Sequence, residues 1–421
     1  MKKTLDDWLK WQETLHSSEI DLGLDRIYQV AKNLKLLSTA FPIITVAGTN
    51  GKGSCVALLE SILSAEGYKT GSYTSPHLIS YNERIKINTF NADDELIIAA
   101  FEEIDQARKN ISLSYFEFGT LAAMLIFFKQ NVDVAILEVG LGGRLDAANL
   151  WDTSLALITS IAIDHESWLG NDRESIAKEK SGIMRENTPV ICGDKNPPKS
   201  IKSEAERVNA VLYQIDNEFF IRPSNKDNSW QLNVTDSYFD LPYPALKGEF
   251  QINNAATVIT GLRTIQKQLP VSLDSYIKGL KKVSIIGRLQ LINKSPDWLI
   301  DVAHNPHSAK ALSNYLKSYE TKGKTYALFS ILKDKDLEEV LKIMDQHIDE
   351  WHIVGLESNR GFTTEQLKDH MQASNISSKI VPHEDFSTAI KSLKKGIKNK
   401  DKVVAFGSFL VISELMQVWK S

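Results

Sequence analysis

Between an apolar, β-branched run, Ile43 to Ala47, and a helical pattern carried by Val56, Leu59, Ile62 and Leu63 lies Gly48-Thr-Asn-Gly-Lys52-Gly-Ser54. A glycine-rich turn at such a junction aims backbone N–H groups and a helix N-terminus at one point, where an anion is favoured. Lys52 adds a mobile cation for β- and γ-phosphates, and the Ser54 hydroxyl falls near where a Mg²⁺ would sit. The usual spacing G-x-x-x-x-G-K-[ST] is not met, because Val46 and Gly53 occupy two of its positions. A plain glycine-rich strand-to-helix turn is the alternative this segment leaves open.

Further polar groups recur where apolar runs end. Asp133 to Val139 reads as a strand with Glu138 near its C-terminal end, followed by Gly140-Leu-Gly-Gly-Arg144-Leu-Asp146. Ligands of open α/β sheets gather at the carboxyl ends of strands. A carboxylate in an apolar run must be paired or bound to a metal. Glu138 is read as a Mg²⁺ ligand facing phosphates, the alternative being a pair with Arg144. The run Ser154 to Ile163 ends in Asp164-His165, and His165 is balanced between a metal ligand and an ordinary hydrogen-bonding residue. Ser75 follows a short strand, Thr70 to Tyr73, and by itself would pass for a turn residue. Lys180, in Ile176-Ala-Lys-Glu-Lys180-Ser-Gly-Ile183, reads as a surface lysine. Asp301, in Trp298-Leu-Ile-Asp-Val-Ala-His304-Asn-Pro-His307, either hydrogen-bonds a nucleotide or caps the next helix, for which Ser308 is a candidate N-cap. The planar fork of Arg288 suits phosphate oxygens in an interdomain cleft.

The elements that must position these groups alternate along the chain. Strands are expected at 43–47, 132–139, 154–163, 188–192, 297–303, 324–331, 351–355 and 401–406, with helical patterns at 96–108, 118–130, 308–319, 335–349 and 385–396. Such alternation implies parallel sheets covered by helices on both faces. Aromatic alternation around 211–222 and 230–239 suggests a small β excursion. A turn-rich gap near 286–297 divides domain one, 1–288, from domain two, 289–421. The fold class is therefore α/β, an N-terminal P-loop ATPase-like doubly wound domain with a small β excursion and a smaller C-terminal Rossmann-like domain. The 421 residues fit roughly two to three domains. A net charge of −4 gives no reason to expect nucleic acid or membranes as partners, and Lys391 to Lys402 reads as a solvated helix end. Cys55 and Cys192 read as free buried thiols of a reducing compartment. Met1 to Trp11 lacks the apolar core of a secretory signal, no run approaches the ~18 apolar residues of a membrane span, and a cytoplasmic protein is expected.

The loop Gly48-Thr-Asn-Gly-Lys-Gly-Ser54 resembles the phosphate loop of the Mur ligase superfamily. Further along stand Ser75-Pro-His-Leu78 with Glu83-Arg84, Tyr115-Phe-Glu117, Leu137 to Asp146, Asp164-His165, Glu179 to Ile183, Gly287-Arg288, Asp301 to Pro306, Asp334-Lys-Asp336 and Gly407-Ser408. In this order they resemble the folylpolyglutamate synthases, and Ile20-Asp-Leu-Gly-Leu-Asp-Arg26 resembles the bacterial bifunctional members that also act as dihydrofolate synthases. Ile285 and Ile286 stand where many relatives have Trp-Pro, and Phe250 where His is frequent.

The resemblance implies ATP contacts from Thr49, Asn50, Gly51, Lys52, Gly53, Ser54, Asn254, Arg288 and Asp301, and Mg²⁺ held by Ser75, Glu138 and His165. It implies that Lys180 is carbamylated and catalytic, together with Lys52, His165 and Glu138. Dihydropteroate contacts would come from Asp21, Leu22, Gly23 and Leu24, from Ser114, Tyr115, Phe116 and Glu117, and from Leu145, Asp146 and Ala147. His304, His307 and Ser408 would line a glutamate cleft in domain two. The implied activity is ATP-dependent ligation of L-glutamate to dihydropteroate and reduced folates through an acyl phosphate, serving folate biosynthesis and one-carbon metabolism, by a protein expected to be a monomer. A monofunctional folylpolyglutamate synthase is the near alternative. A cell-wall ligase would need a further N-terminal domain, for which residues 1–42 leave little room, and a nucleotide-binding regulator would not need glutamate for turnover.

Overall fold

A computed structural model describes every residue except 1, 2, 17, 19, 235, 236, 320–322, 359, 375 and 421. The chain forms two compact units, Met1–Ala245 with Gln251–Val283, and Leu246–Phe250 with Ser284–Ser421.

The first unit is built on eight strands, β1 (Ile43–Ala47), β2 (Thr70–Tyr73), β3 (Ile85–Ile87), β4 (Phe90–Asn91), β5 (Val134–Glu138), β6 (Leu155–Ile158), β7 (Pro189–Cys192) and β8 (Val211–Gln214). Their order is β4-β3-β2-β5-β1-β6-β7-β8, with only β3 reversed, so that it pairs antiparallel with both β2 and β4. β1 and β5 are buried at every residue. That is why they read as unbroken apolar runs, since a central parallel strand has helices on both faces. β1 lies between β5 and β6, with Val46 beside Glu138 and Ala47 beside Ile158. The loop leaving β1 is therefore flanked by the chain leaving each of its two neighbours. The helix Tyr115–Lys129 is buried along nearly its whole length and packs into a core with Trp8, Phe101 and Tyr81.

Two expectations change in detail. The segment Val211–Gln214 is the parallel edge strand of this sheet, paired with β7. The β excursion is the antiparallel meander β9 (Phe219–Pro223), β10 (Ser229–Val234) and β11 (Ser237–Pro242); residues 235 and 236 of the aromatic stretch 230–239 lie outside the described residues. The strand expected over 154–163 ends at Ile158. Beyond it Thr159 and Ser160 turn their hydroxyls to the Asn50 carbonyl, at 2.7 and 3.1 Å, which pulls the chain out of the sheet.

The second unit carries β12 (Gln290–Asn293), β13 (Asp297–Ile300), β14 (Thr325–Phe329), β15 (Glu350–Val354), β16 (Lys379–His383) and β17 (Lys402–Phe406), in the order β12-β13-β17-β14-β15-β16 with only β12 antiparallel. The helix after β13, Pro306–Ser318, has Asn305 as its N-cap. Ser308 was the expected cap, but it sits at the third helical position and completes a capping box with Asn305. The expected helix 335–349 is Leu337–Met344 followed by a 3₁₀ turn, Asp345–His347. Lys402 does not belong to the solvated lysine stretch, being buried at the start of β17 with its ammonium over the Tyr319 ring. Cys55 and Cys192 are both free and buried. Among the described residues no helix is long and apolar enough to cross a membrane.

An edge of this sheet carries a histidine pair, His352 buried and His383 half-buried. Glu350 can only accept, so His352 donates through Nε2 at 3.2 Å and its Nδ1 accepts from Nε2 of His383 at 2.8 Å. Burial first, and then His383 beside it, lower His352 from its ordinary 6.5 to about 4, against the opposing pull of Glu350; Lys379 also faces the pair, and Asp385 faces His383. A histidine held neutral in the folded state contributes stability that is complete above about 6.5 and is lost as pH falls toward about 4. Thermal melting across that window should show a loss on the order of 2 kcal/mol, and His352→Phe should flatten the dependence.

Candidate active site

The phosphate loop leaves β1 with Gly48 at φ +147° and Gly51 at φ +95°, and Gly51 caps the helix Lys52–Glu66. Two segments outside the loop fix it, one through backbone carbonyls and the other through side chains. Thr49 donates its N–H to the Ser160 carbonyl at 2.7 Å and its hydroxyl to the Ala162 carbonyl at 3.0 Å. Gln251 donates to the buried Ser54 hydroxyl at 3.2 Å and accepts from Asn254 at 2.9 Å. Asn254 in turn lies so close to Gly51 that a Cβ there would meet its Oδ1 at 2.8 Å.

Two ammonium groups converge on one carbonyl. Lys52 Nζ donates to Gly48 O at 3.0 Å and Lys180 Nζ donates to the same oxygen at 2.9 Å. Lys180 is buried, contrary to its reading as a surface lysine. Burial chiefly, and then the charge of Lys52, push its amine down to about 7, while Asp164 and Asp146 pull the other way. A desolvated pair of like charges invites either an anion or the neutral form of one partner.

Glu138 ends β5 fully inside the protein and accepts from the Ser75 backbone N–H at 3.2 Å. Its alternative partner, Arg144, instead forms a two-pronged pair with Glu179 at 2.9 and 3.2 Å. His165 follows β6 with φ +55°, its backbone N–H bound to Asp164 at 2.9 Å. Because β5 and β6 flank β1, Glu138 and the Asp164–His165 turn leave the sheet on opposite sides of the phosphate loop. Among the described residues no three His, Cys, Asp or Glu side chains form a metal cage. A Mg²⁺ needs none, since it takes one or two carboxylates and completes its shell with water and phosphate oxygens. A buried carboxylate beside a serine and a phosphate loop fits that description.

The expected pteroate segments also gather. Ser114 caps the helix Tyr115–Lys129 in a box with Glu117. Phe116 lies over Gly140, where a Cβ would meet its ring at 2.7 Å. Asp146 accepts from the N–H groups of Leu141 and Ala148, at 2.8 and 2.9 Å, and burial raises it to about 6. Leu145 is half-buried and Ala147 buried. Asp21 reaches this region through Arg26, which also meets Glu117. Leu22 and Gly23 are half-buried, and Leu24 packs against the core.

Arg84 and His77 had no role assigned to them from sequence. Arg84 Nε donates to His77 Nδ1 at 2.8 Å, and its guanidinium lies 5.6 and 5.3 Å from the ring centres of Tyr81 and Tyr115. Burial, then the Arg84 charge, lower His77 to about 4, so it is a neutral acceptor. That leaves a guanidinium fixed in direction, suited to a carboxylate. The basic residue among tyrosines, Tyr81-x-x-Arg84, was the available signal.

In the second unit Asp301 follows β13 and accepts from the N–H groups of Leu289 and Ala303, both at 2.8 Å. Burial raises its carboxyl, Arg288 opposing. It caps a turn, and the helix cap is Asn305. Arg288 lies 5.3 Å from the Phe409 ring, with His304 at 6.0 Å from the same ring and Ser408 one residue before it. His307 is exposed.

A phosphate loop with an inward lysine, followed by a second α/β unit, is the arrangement of Mur-type ligases. The Mur ligase middle domain matches residues 46–261, and the Mur ligase glutamate ligase domain matches 287–409. The chain belongs to the dihydrofolate synthase/folylpolyglutamate synthase family of these ligases. It is 40% identical to the Escherichia coli dihydrofolate synthase/folylpolyglutamate synthase, over 98% of this chain and 95% of that protein. The solved structure of E. coli FolC with DHPP and ADP superposes with a TM-score of 0.93 at 40% identity, covering 99% of this chain and 98% of that one. A bifunctional folylpolyglutamate synthase/dihydrofolate synthase with Mn, AMPPNP and L-glutamate bound gives 0.91 at 39% identity, covering 100% and 98%.

Proposed function

We propose that this protein is the ATP-dependent ligase that joins L-glutamate to dihydropteroate, giving dihydrofolate, and extends reduced folates with further glutamates. The observation that carries this is the phosphate loop whose Gly48 carbonyl gathers Lys52 and Lys180, with Glu138 at the neighbouring strand end. The substrate carboxylate attacks the γ-phosphorus, the bond to ADP breaks, and an acyl phosphate results. The glutamate amine then attacks the acyl carbon and phosphate leaves. Such transfers need alignment and charge neutralisation more than covalent help. Lys52 and the backbone N–H groups of Gly51 to Ser54 answer the triphosphate, with Thr49 and Asn50 beside them. Arg84 directs its guanidinium toward the substrate carboxylate. Ser75, Glu138 and His165 would hold a Mg²⁺, which neutralises phosphate charge when bound. Lys180, as a neutral amine, can add to CO₂ and lose a proton to solvent, and the resulting carbamate would supply a negative group beside the metal. Asn254, Arg288 and Asp301 are assigned to the nucleotide, and His304, His307 and Ser408 to L-glutamate. The AMPPNP, Mn and L-glutamate bound by the relative support these assignments. The enzyme is taken to act in the cytoplasm as a monomer.

Glutamate-dependent ADP release by the purified protein, with Mg²⁺ and either dihydropteroate or tetrahydrofolate, tests the reading. Turnover is expected with both. Turnover with tetrahydrofolate alone would remove the dihydropteroate role of Asp21 to Leu24, and turnover with neither would sink the folate assignment.

A further inference from the structure

Between the helices Leu5–Leu15 and Asp25–Asn33, residues 20–24 carry Asp21 to Leu24 and belong to no helix or strand. Side chains hold it. One oxygen of Asp21, Oδ2, accepts from Arg26 Nη1 at 2.7 Å and from His16 Nε2 at 2.9 Å. Arg26 Nη2 donates to the Asp21 carbonyl at 2.9 Å and lies 3.3 Å from Oε1 of Glu117. The other Glu117 oxygen accepts from the Ser114 N–H at 2.7 Å. A single guanidinium therefore ties together the two stretches, 21–24 and 114–117, that are assigned to pteroate. His16 supports the same anchor from the other side. Its Nε2 must carry the proton, because a carboxylate only accepts, and its Nδ1 pairs with Ser112 at 2.6 Å.

Burial makes the arrangement demanding. The Glu117 side chain is 4% exposed, and a carboxylate so deep needs a cation. Arg26 serves a carboxylate, a carbonyl and a second carboxylate from one rigid plane, which an ammonium cannot do in the same geometry. The Asp21 side chain is 39% exposed, and its Oδ1 has no hydrogen-bond partner among the described residues. The anchored carboxylate thus presents one oxygen outward, as an acceptor for N–H groups such as those along the edge of a pteridine ring.

We infer that Arg26 and His16 are positioning residues for the pteroate substrate, holding Asp21 against Glu117 so that the outward oxygen meets the ligand in one orientation. This rests on the substrate assignment above. Neither residue is required to touch the reacting atoms. Arg26→Gln should raise KM for dihydropteroate about tenfold or more, while kcat at saturation and KM for ATP stay within about threefold. Arg26→Lys should recover only part of the loss, and His16→Gln should move KM the same way by less. If Arg26→Gln fails to fold, Asp21→Asn, which keeps the shape and weakens the anchor, should show the same rise in KM. Combining it with Arg26→Lys should then give less than the product of the two single effects.

An unchanged KM for dihydropteroate in folded variants overturns the inference. So does a fall in kcat with KM unmoved, which would mark a merely structural or chemical role. Wild-type protein that does not turn over dihydropteroate overturns the substrate assignment and this inference together. Normal wild-type turnover with unmoved variants overturns the inference alone.

Discussion

Replacing Lys180 with Ala should lower kcat at least about a thousandfold, while the protein melts at the same temperature or higher. The two halves of that expectation have one cause. As an ammonium, Lys180 is a buried charge 2.9 Å from a carbonyl and beside a second lysine, a poor contributor to stability, so deleting it relieves the fold. As a carbamate it would be negative, next to Lys52 and the proposed metal ligands, and its loss would remove charge compensation where the phosphoryl group moves. The pH behaviour separates the forms. Only the neutral amine reacts with CO₂, and this amine is held at about 7. At fixed CO₂, the rate at which CO₂-stripped enzyme regains activity should therefore rise between about pH 6 and 8 and then level off. A lysine at its ordinary 10.5 would keep gaining tenfold per unit through that range. Full activity in the Ala variant, or activity indifferent to CO₂ removal, would exclude the carbamate.

The phosphate loop was legible because its signal is local: a buried parallel strand shows as an apolar run, and the turn after it needs glycine. Lys180 was not. Its helix, Arg173–Ser181, is polar on both sides of it, and what buries it is a contact with Gly48, 132 positions away in the chain. That Arg144 pairs with Glu179, and not with Glu138 as the alternative reading has it, is hidden for the same reason, since nothing in Gly140 to Asp146 announces Glu179. Val211–Gln214 has the same aromatic alternation as the adjacent meander; only its pairing with β7 assigns it to the main sheet. The choice between Asn305 and Ser308 as helix cap is made by backbone, Asn305 being extended at φ −139°, and both residue types cap well. Thr159 to Ile163 continue the apolar pattern of β6 yet leave the sheet, because their first two hydroxyls serve the phosphate loop.

That same junction makes Gly48 the least replaceable residue of the loop. A Cβ on it would stand 1.8 Å from Thr159 Oγ1 and 3.0 Å from Thr159 Cβ. Thr159 cannot step aside, since its hydroxyl donates to Asn50 O at 2.7 Å and its N–H to Ala47 O at 2.9 Å. Relief must come from moving β6 away from the end of β1. That motion carries with it Thr49, bound to Ser160, and the carbonyl on which both lysines converge. Gly48→Ala should destabilise the first unit by roughly 3–5 kcal/mol and weaken nucleotide binding by about a hundredfold or more. Gly67 provides the control. It ends the helix that the loop begins, has φ +104°, and has nothing within 4 Å of its Cβ position. Gly67→Ala therefore measures backbone strain without collision, about 1 kcal/mol, with nucleotide affinity unchanged. Thr159→Ala added to Gly48→Ala removes the nearest atom and should restore part of both losses. Were Gly48→Ala to melt like Gly67→Ala and bind nucleotide like wild type, the loop would have slack that its hydrogen bonds deny, and the convergence of Lys52 and Lys180 on one carbonyl would lose its role in the site.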